Sequence, residues 1–208
     1  MNEFQEEFSQ EQQQETAVEP KGKELYEWLQ ALVWSVLGVV LLFTFVVRLV
    51  GVDGSSMYPS LLHGDRLLVL SSMLDSDYQV GDIVVLRKDT FMEYPIVKRV
   101  IATQGQTVDI DFLHGIVYVD DVALEEDYIH ELTYTDEGTV FPLTVPEGSI
   151  FVLGDNRNHS SDSRDYKLGT VDEGYVIGKA VFLLFPGEGQ ENTAFVEERD
   201  LSRIGFFN

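Results

Sequence analysis

The chain contains no cysteine, few basic side chains and only four histidines. Without cysteine it can form neither a disulfide framework nor a thiolate metal site, so cysteine usage says nothing about its redox compartment. Lysine and arginine number 14 against 36 acidic residues, which gives a formal net charge of −22. Affinity for a nucleic acid backbone comes from basic residues that replace counterions, so we expect no nucleic acid partner.

The histidines, at positions 63, 114, 130 and 159, lack the spacing of a metal-binding motif. We therefore predict no metal and no cofactor, and we interpret His159 as a loop residue. The acidic residues are not confined to a tail, because residues 51–208 carry 28 acidic and 11 basic side chains, a formal balance of −17. This favours a solvated acidic surface over a specific cationic partner or an adaptation to salt or alkali.

One long apolar run lies near the start of the chain. From Trp28 to Val47 there are 20 consecutive uncharged residues, mostly Leu, Val and Phe. At about 1.5 Å per residue this run spans the roughly 30 Å hydrocarbon layer, and we predict a transmembrane helix at 28–50. A cleaved signal peptide is the alternative, but its apolar region would be about 7–15 residues long and a small-residue cleavage site should follow it. Residues 48–53 offer no such site.

The segment before this run, residues 1–27, is acidic and has little that could form a core. We expect a disordered tail there. Lys21 and Lys23 lie on its side of the helix and only Arg48 lies close on the other, which favours a cytoplasmic amino terminus. The prediction is a single-pass protein of the cell membrane, in contact with the lipid bilayer, with residues 51–208 outside. The sequence indicates no oligomeric state.

After Val52 no long helical periodicity occurs, and short apolar runs rich in Val, Ile and Phe alternate with turn residues. This pattern predicts a mainly β domain of antiparallel sheets. We expect a hairpin turn at 112–115 and a peripheral insertion at about 107–148. The predicted strands are 66–70, 82–87, 96–102, 107–110, 115–119, 149–153 and 175–185.

Three polar segments carry candidate chemistry: Gly54–Leu61, the pair Lys98-Arg99, and the loop 154–164 after an apolar strand. A serine is a weak nucleophile until a base takes its proton, and a lysine can do so once its ammonium is easily deprotonated. Strand alternation places Ile96 and Val100 on the face of Lys98, and desolvation by such neighbours lowers a lysine pKa. Taken singly, these segments are also typical of turns and of lysines at strand edges.

Four blocks resemble, in order, the conserved boxes of type I signal peptidases, the membrane-bound serine proteases that remove signal peptides from exported proteins. The blocks are Gly54–Leu61, Gly81–Leu86, Val97–Val100 and Gly154–Arg164. With the preceding apolar run they span about residues 28 to 185, and their occurrence in this order is highly specific. The single run resembles the one-helix form found in Gram-positive bacteria.

The resemblance implies a role for each matching residue. Ser56 would be the nucleophile and Lys98 the general base, with Ser160 hydrogen-bonded to Lys98 and orienting it. Gly54 occupies the position where Gram-negative relatives often have a hydroxyl side chain that donates to the oxyanion. The backbone N–H of Ser56 would then be the main oxyanion donor. Ion pairs that brace the site would come from Arg99, Asp155, Asp162 and Arg164.

The resemblance also implies the substrate, a preprotein with a signal peptide that is cut after small residues in an Ala-x-Ala-like site. The peptide would bind as an added β-strand. Residues that match pocket-lining positions are Val52, Met57, Leu61, Ile96 and Val97.

Two other functions stay open at this stage. An inactive relative that serves as an assembly factor for surface polymers would be expected to lack Ser56 or Lys98. A self-cleaving repressor of the Ser/Lys class would need a DNA-binding domain where this chain has its apolar run.

Overall fold

The computed structural model describes residues 22–188 and 199–207. Of the tail predicted for residues 1–27, positions 1–21 lie outside the described residues. Its last six residues belong to a helix, α1, which extends over Gly22–Leu41 and continues into a π-helical turn at Leu42–Val46.

The helical segment Gly22–Val46 is 25 residues long, and its most apolar window has a mean hydropathy of 2.3. By length and composition it could cross a membrane. Its bounds differ from the predicted 28–50, because a strand already begins at Val47 and pairs with Arg66–Ser71. The carboxyl-terminal bound predicted for the helix is therefore wrong. Apolar residues continue from the helix into the strand, so composition could not mark the change.

The described part of the chain contains twelve strands, all paired antiparallel in two sheets. The seven strands predicted from the sequence are confirmed to within about two residues, as is the mainly β fold class. Five short strands were not predicted. The strands are β1 Val47–Gly51, β2 Arg66–Ser71, β3 Ile83–Leu86, β4 Ile96–Thr103, β5 Thr107–Asp111, β6 Ile116–Val119, β7 Val122–Ala123, β8 Leu143–Thr144, β9 Ser149–Leu153, β10 Val171–Asp172, β11 Val176–Phe185 and β12 Gly205–Phe206.

The larger sheet has the order β1-β2-β11-β3-β4-β9-β10, with β12 beside β11, and the smaller has the order β7-β6-β5-β8. The central strand β3 is buried on both faces, which explains its uninterrupted apolar sequence. Ile83 and Val85 point into one core cluster, and Val84 and Leu86 point into a second. A third cluster joins the two sheets, with Phe151 and Leu153 of β9 packed among residues of β5 and β6.

The smaller sheet lies within the predicted insertion, between Thr107 and Thr144. The predicted hairpin turn is present between β5 and β6, where Gly115 has a φ of +73°. Residues 124–139, which connect β7 to β8 and are called the strap below, contact the loop that follows β9. Thr139 donates from its backbone N–H to the carbonyl of Arg164 at 2.9 Å, and His130 donates likewise to that of Asp155 at 3.2 Å.

Candidate active site

Ser56 and Lys98, 42 positions apart in the sequence, meet in the structure. Ser56 lies in the turn that follows β1, and Lys98 lies in β4, paired with Val84 of β3. The Nζ of Lys98 donates a hydrogen bond to the Oγ of Ser56 at 2.8 Å. Lys98 is only 3% exposed, so the strand holds its ammonium group away from bulk water.

Burial is the main influence on the ionisation of Lys98. Removing the ammonium from water lowers the pKa of Lys98 from 10.5 to about 8, while the carboxylate of Asp162 acts in the opposite direction and Arg164 reinforces the decrease. With a pKa near 8, about a tenth of the molecules carry a neutral amine at pH 7. Lys98 can therefore accept a proton from the hydroxyl that it contacts.

Arg99 and Asp155 form the first of the two ion pairs expected from the sequence. The guanidinium binds the carboxylate through two bonds, of 2.9 Å to Oδ1 and 2.6 Å to Oδ2. It also donates to the carbonyl of Gly81 and to the hydroxyl of Ser60, and it lies 4.2 Å from the ring centre of Tyr128. This arginine links β4, the turn that carries Ser56, and the loop after β9.

Asp162 and Arg164 form the second ion pair, and both side chains are fully buried. Two bonds of 2.8 and 2.9 Å join the guanidinium to the carboxylate, which also accepts the backbone N–H of Gly154 at 2.9 Å. Burial by itself favours the neutral acid, but these donors hold the pKa of Asp162 below its usual value. A permanent negative charge therefore lies close to Lys98.

The structure corrects the contact expected for Ser160. Its hydroxyl donates to Oδ2 of Asp162 at 2.8 Å, and no hydrogen bond joins it to Lys98 among the described residues. The charged carboxylate is a strong acceptor for the single hydroxyl proton of Ser160, and the ammonium of Lys98 donates to Ser56. Ser160 is therefore a partner of Asp162, and the prediction that it orients Lys98 directly is wrong.

A cleft of about 410 Å³ opens beside Ser56 and Lys98. Of the five residues predicted to line a substrate pocket, four line this cleft: Val52, Met57, Ile96 and Val97. Leu61 does not, because it is fully buried in the core cluster beneath the turn. Further residues that line the cleft were not predicted from the sequence, among them Met92, Tyr94, Pro95, His159 and Ser161.

The turn that carries Ser56 depends on a glycine at position 54. Gly54 has a φ of +96°, a conformation that side-chain-bearing residues rarely adopt. The lack of a side-chain oxyanion donor at this position therefore accompanies a backbone shape that favours glycine. The backbone N–H of Ser56 has no hydrogen-bond acceptor among the described residues and is available to a ligand in the cleft.

A second glycine, Gly154, allows the loop after β9 to approach this turn. A Cβ at position 154 would lie 2.5 Å from the carbonyl oxygen of Ser56 and would also collide with Ser160. The close approach brings Asn156 against the turn that carries Ser56, where its backbone N–H donates to the carbonyl of Ser56 at 3.0 Å. Its side-chain Nδ2 donates to the carbonyl of Ser55 at 3.1 Å. The sequence analysis gave Asn156 no role.

A further ion pair, not predicted from the sequence, ties the strap to the same loop. Arg157, fully buried, binds the carboxylate of Glu126 through bonds of 3.0 and 2.6 Å. It also donates to the carbonyl of Gly154 and to the hydroxyl of Thr133. The charges in the loop were the only signal for this ion pair in the sequence, because Glu126 lies 31 positions from Arg157.

Comparison with known proteins places the chain in a family. The model of the signal peptidase family, peptidase S26, matches residues 25–185. Signal peptidase I of Bacillus amyloliquefaciens is 33% identical over 86% of this chain and 95% of its own length. A probable signal peptidase I-1 of Synechocystis is 38% identical over 74% of this chain and 79% of its own length.

Among solved structures, a signal peptidase I from Enterococcus faecalis is 32% identical, with a TM-score of 0.40, and the match covers 50% of this chain and 96% of that one. The family model covers most of the chain, and the curated relatives match it over nearly their full length. The chain therefore belongs to the signal peptidase family, peptidase S26, a family of hydrolases.

Proposed function

We propose that this protein is a membrane-anchored endopeptidase that removes signal peptides from exported preproteins, with Ser56 as nucleophile and Lys98 as general base. The observation that carries the proposal is the 2.8 Å hydrogen bond between Lys98 Nζ and Ser56 Oγ, made by a buried lysine whose pKa is lowered to about 8. A base of that pKa is well suited to proton transfer near neutral pH. Relatives named signal peptidase I support the substrate class.

The reaction begins when the Ser56 oxygen attacks the scissile carbonyl and the neutral amine of Lys98 takes the hydroxyl proton. The carbonyl oxygen becomes an oxyanion, which the backbone N–H of Ser56 stabilises. Lys98, now protonated, gives its proton to the departing amine, leaving the signal peptide esterified to Ser56. A water molecule then attacks the ester while Lys98 accepts its proton, and return of that proton to Ser56 restores the enzyme.

The two ion pairs keep this geometry in place. Arg99 holds the nucleophile turn through Ser60, and Asp162 provides the negative charge near Lys98. Ser160 donates to Asp162 and limits that carboxylate's freedom to rotate. All four charged residues act through the dyad and make no contact with the scissile bond in this scheme.

The cleft supports cleavage after small residues. Its apolar lining next to Ser56 includes Met57 and Val97, both of which are largely buried. A preprotein segment bound in extended form would direct alternate side chains into this lining. Bulky side chains would have to displace residues that belong to the packed core, so small residues are favoured.

The apolar helix Gly22–Val46 would hold the enzyme at the bilayer, with the amino terminus in the cytoplasm and the β domain outside. Attachment to the membrane confines the enzyme to the surface where preproteins emerge. This raises the effective concentration of a membrane-inserted substrate without any added contact.

The experiment is cleavage of a preprotein with an Ala-x-Ala site by the full-length enzyme in detergent or lipid. Ser56→Ala and Lys98→Ala are each expected to abolish cleavage, while His159→Ala retains it. Matched controls are Ser76→Ala and Lys167→Ala, which alter exposed residues of the same types. Near-normal turnover by either dyad variant would refute the proposed chemistry. A wild-type protein that binds the preprotein and never cuts it would favour the inactive assembly factor.

A further inference from the structure

Asn156 contacts both peptide units that flank the α-carbon of Ser56. Its Nδ2 donates to the carbonyl of Ser55 at 3.1 Å, and its backbone N–H donates to the carbonyl of Ser56 at 3.0 Å. The asparagine is 5% exposed, so water competes little for these bonds. Two adjacent carbonyls of the nucleophile turn are thus held by a single residue from another loop.

The carbonyl of Ser55 and the N–H of Ser56 belong to the same planar peptide unit. In a trans peptide the two groups point in opposite directions, so holding the carbonyl also fixes the direction of the N–H. The bond from Asn156 to this carbonyl therefore aims the Ser56 N–H away from the loop that carries Asn156. A hydrogen bond to the carbonyl also polarises the peptide unit and makes its N–H a stronger donor.

The need for such orientation is greater in this chain because Gly54 supplies no side-chain donor. Gly54 lies one residue before the Ser55–Ser56 peptide unit, and its φ of +96° is a conformation that favours glycine. The Ser55 carbonyl also accepts the backbone N–H of Tyr58 at 3.0 Å within the turn. Asn156 adds the bond from outside the turn, and without it the Ser55–Ser56 unit would be held by the Tyr58 bond alone and its N–H would be less accurately aligned with the oxyanion. Ser55 and Ser56 both line the cleft and are partly open to solvent.

Asn156 is also a poor choice for stability alone. Its Oδ1 is buried and has no hydrogen-bond partner among the described residues, and a buried polar atom without a partner is destabilising. The amide cannot gain by turning over, because Oδ1 would then face the carbonyl oxygen of Ser55 and two acceptors would meet. An apolar side chain of the same branched shape would remove this penalty, so stability alone does not account for an asparagine at this position.

We propose that Asn156 is a positioning residue that orients and polarises the Ser56 N–H toward the developing oxyanion. This role rests on the proposed function, since it presupposes that Ser56 is the nucleophile. The side-chain bond to Ser55 is the part that substitution can remove, because the backbone bond to Ser56 survives any change at position 156. The variants keep the hydrogen bond from the backbone N–H of position 156 to the carbonyl of Ser56, so the loop stays close to the turn.

The first test compares Asn156→Leu with the wild type in the full-length enzyme. Leucine keeps the branched shape and the number of heavy atoms of the asparagine side chain, and it removes both the donor and the orphaned oxygen. We expect kcat to fall about 10- to 100-fold, less than the roughly 10²–10³-fold for loss of an oxyanion donor, because the N–H remains and is only poorly aimed. KM is expected to change less than twofold, and the melting temperature is expected to stay the same or rise.

Asn158→Ala is the matched control in the same loop. Its Oδ1 accepts backbone N–H bonds from Tyr134 and Thr135, and its Nδ2 donates to the carbonyl of Leu132, so it fixes the strap and not the nucleophile turn. We expect a lower melting temperature and a kcat within about twofold of wild type. A kcat loss equal to that of Asn156→Leu would assign both asparagines a general structural role and overturn the proposal.

The second test measures inhibitor binding. A peptide aldehyde with small side chains adds to Ser56: a bond forms between Oγ and the aldehyde carbon, the hydroxyl proton passes to Lys98, and the carbonyl electron pair becomes an oxyanion facing the Ser56 N–H. The matching peptide alcohol binds the same cleft without an oxyanion. Asn156→Leu is expected to weaken the aldehyde at least tenfold and the alcohol less than twofold.

Equal weakening of aldehyde and alcohol, or no weakening of either, would overturn the proposed role of Asn156. Different results would refute the proposed function and the positioning role of Asn156. If Ser56→Ala still cleaves preproteins, the proposed function is wrong; if Ser56→Ala is inactive and Asn156→Leu keeps wild-type kcat and aldehyde affinity, only the positioning role is wrong.

Discussion

At the scale of single residues, Lys98, the proposed general base, lies where burial makes its charged form costly. The folded state lowers the pKa of Lys98 to about 8, against 10.5 for a free lysine side chain. Such a group destabilises the fold at neutral pH, and strongly shifted pKa values cluster at functional sites. Burial of Lys98 is therefore expected to lower the stability of the fold while it favours the proposed reaction.

Lys98→Met is expected to be inactive and more stable than wild type at pH 7, by about 1–3 kcal/mol. Between about pH 8 and 10.5 the unfolded wild-type chain binds more protons at this lysine than the folded chain, so wild-type stability rises with pH and the advantage of the variant shrinks. Asp162 keeps its partner Arg164 and is not left unpaired. Chemical unfolding of the two proteins across this pH range measures the difference.

Lys179→Met is expected to change the free energy of unfolding in the opposite direction. Although burial opposes it, bonds to Asp75 and Asp82 raise the pKa of Lys179, so its charged form stabilises the fold. This control variant should be less stable at pH 7. If Lys98→Met also lost stability, the burial cost attributed to Lys98 would be wrong.

At the scale of elements, the strap binds the loop after β9 through the buried pair of Glu126 and Arg157. Arg157 also donates to the carbonyl of Gly154, and Tyr128 on the strap covers Arg99. The peripheral insertion is thus joined to the residues around the dyad.

Glu126→Gln is expected to lower the free energy of unfolding by about 3–5 kcal/mol, because it leaves a charged guanidinium buried without a counterion. The exposed neighbour Glu125→Gln should change it by less than about 0.5 kcal/mol. The double variant Glu126→Leu/Arg157→Met should recover much of the loss, since it removes both charges together. A Glu126→Gln protein as stable as wild type in urea unfolding would contradict the structural role of this pair.

The sequence predicted the elements whose pattern is local. Strands such as β4 and β9 have enough alternating or continuous apolar residues to be recognised, and both ion pairs near the dyad were identified through resemblance. The two-residue strands, such as β7 and β10, are too short to show any periodicity. They exist because longer neighbouring strands offer them hydrogen-bond partners.

The site residues that the sequence misplaced depend on contacts between distant segments. Leu61 matched a pocket position by alignment with the family pattern, yet it points into the core. Ser160 was predicted to bind Lys98, but its hydroxyl donates to the nearby carboxylate of Asp162. Asn156 was missed because an amide that binds backbone carbonyls leaves no signal in the sequence around those carbonyls.

At the scale of the whole molecule, the chain combines an apolar helix with an acidic β domain. We expect the amino terminus to lie inside the cell and the β domain to lie outside. Protease added to intact cells should digest the β domain and leave an amino-terminal tag protected, and permeabilised cells should lose both. Digestion of the tag in intact cells with a protected β domain would reverse the orientation.

The most direct test of the Ser56–Lys98 mechanism is the pH dependence of kcat/KM for preprotein cleavage by the full-length enzyme, with chemistry rate-limiting. Only the neutral amine of Lys98 can take the Ser56 proton, so kcat/KM should rise about tenfold per pH unit and level off above about pH 8. A profile that is flat from pH 5 to 10, or one that persists unchanged in Lys98→Met, would contradict a lysine general base.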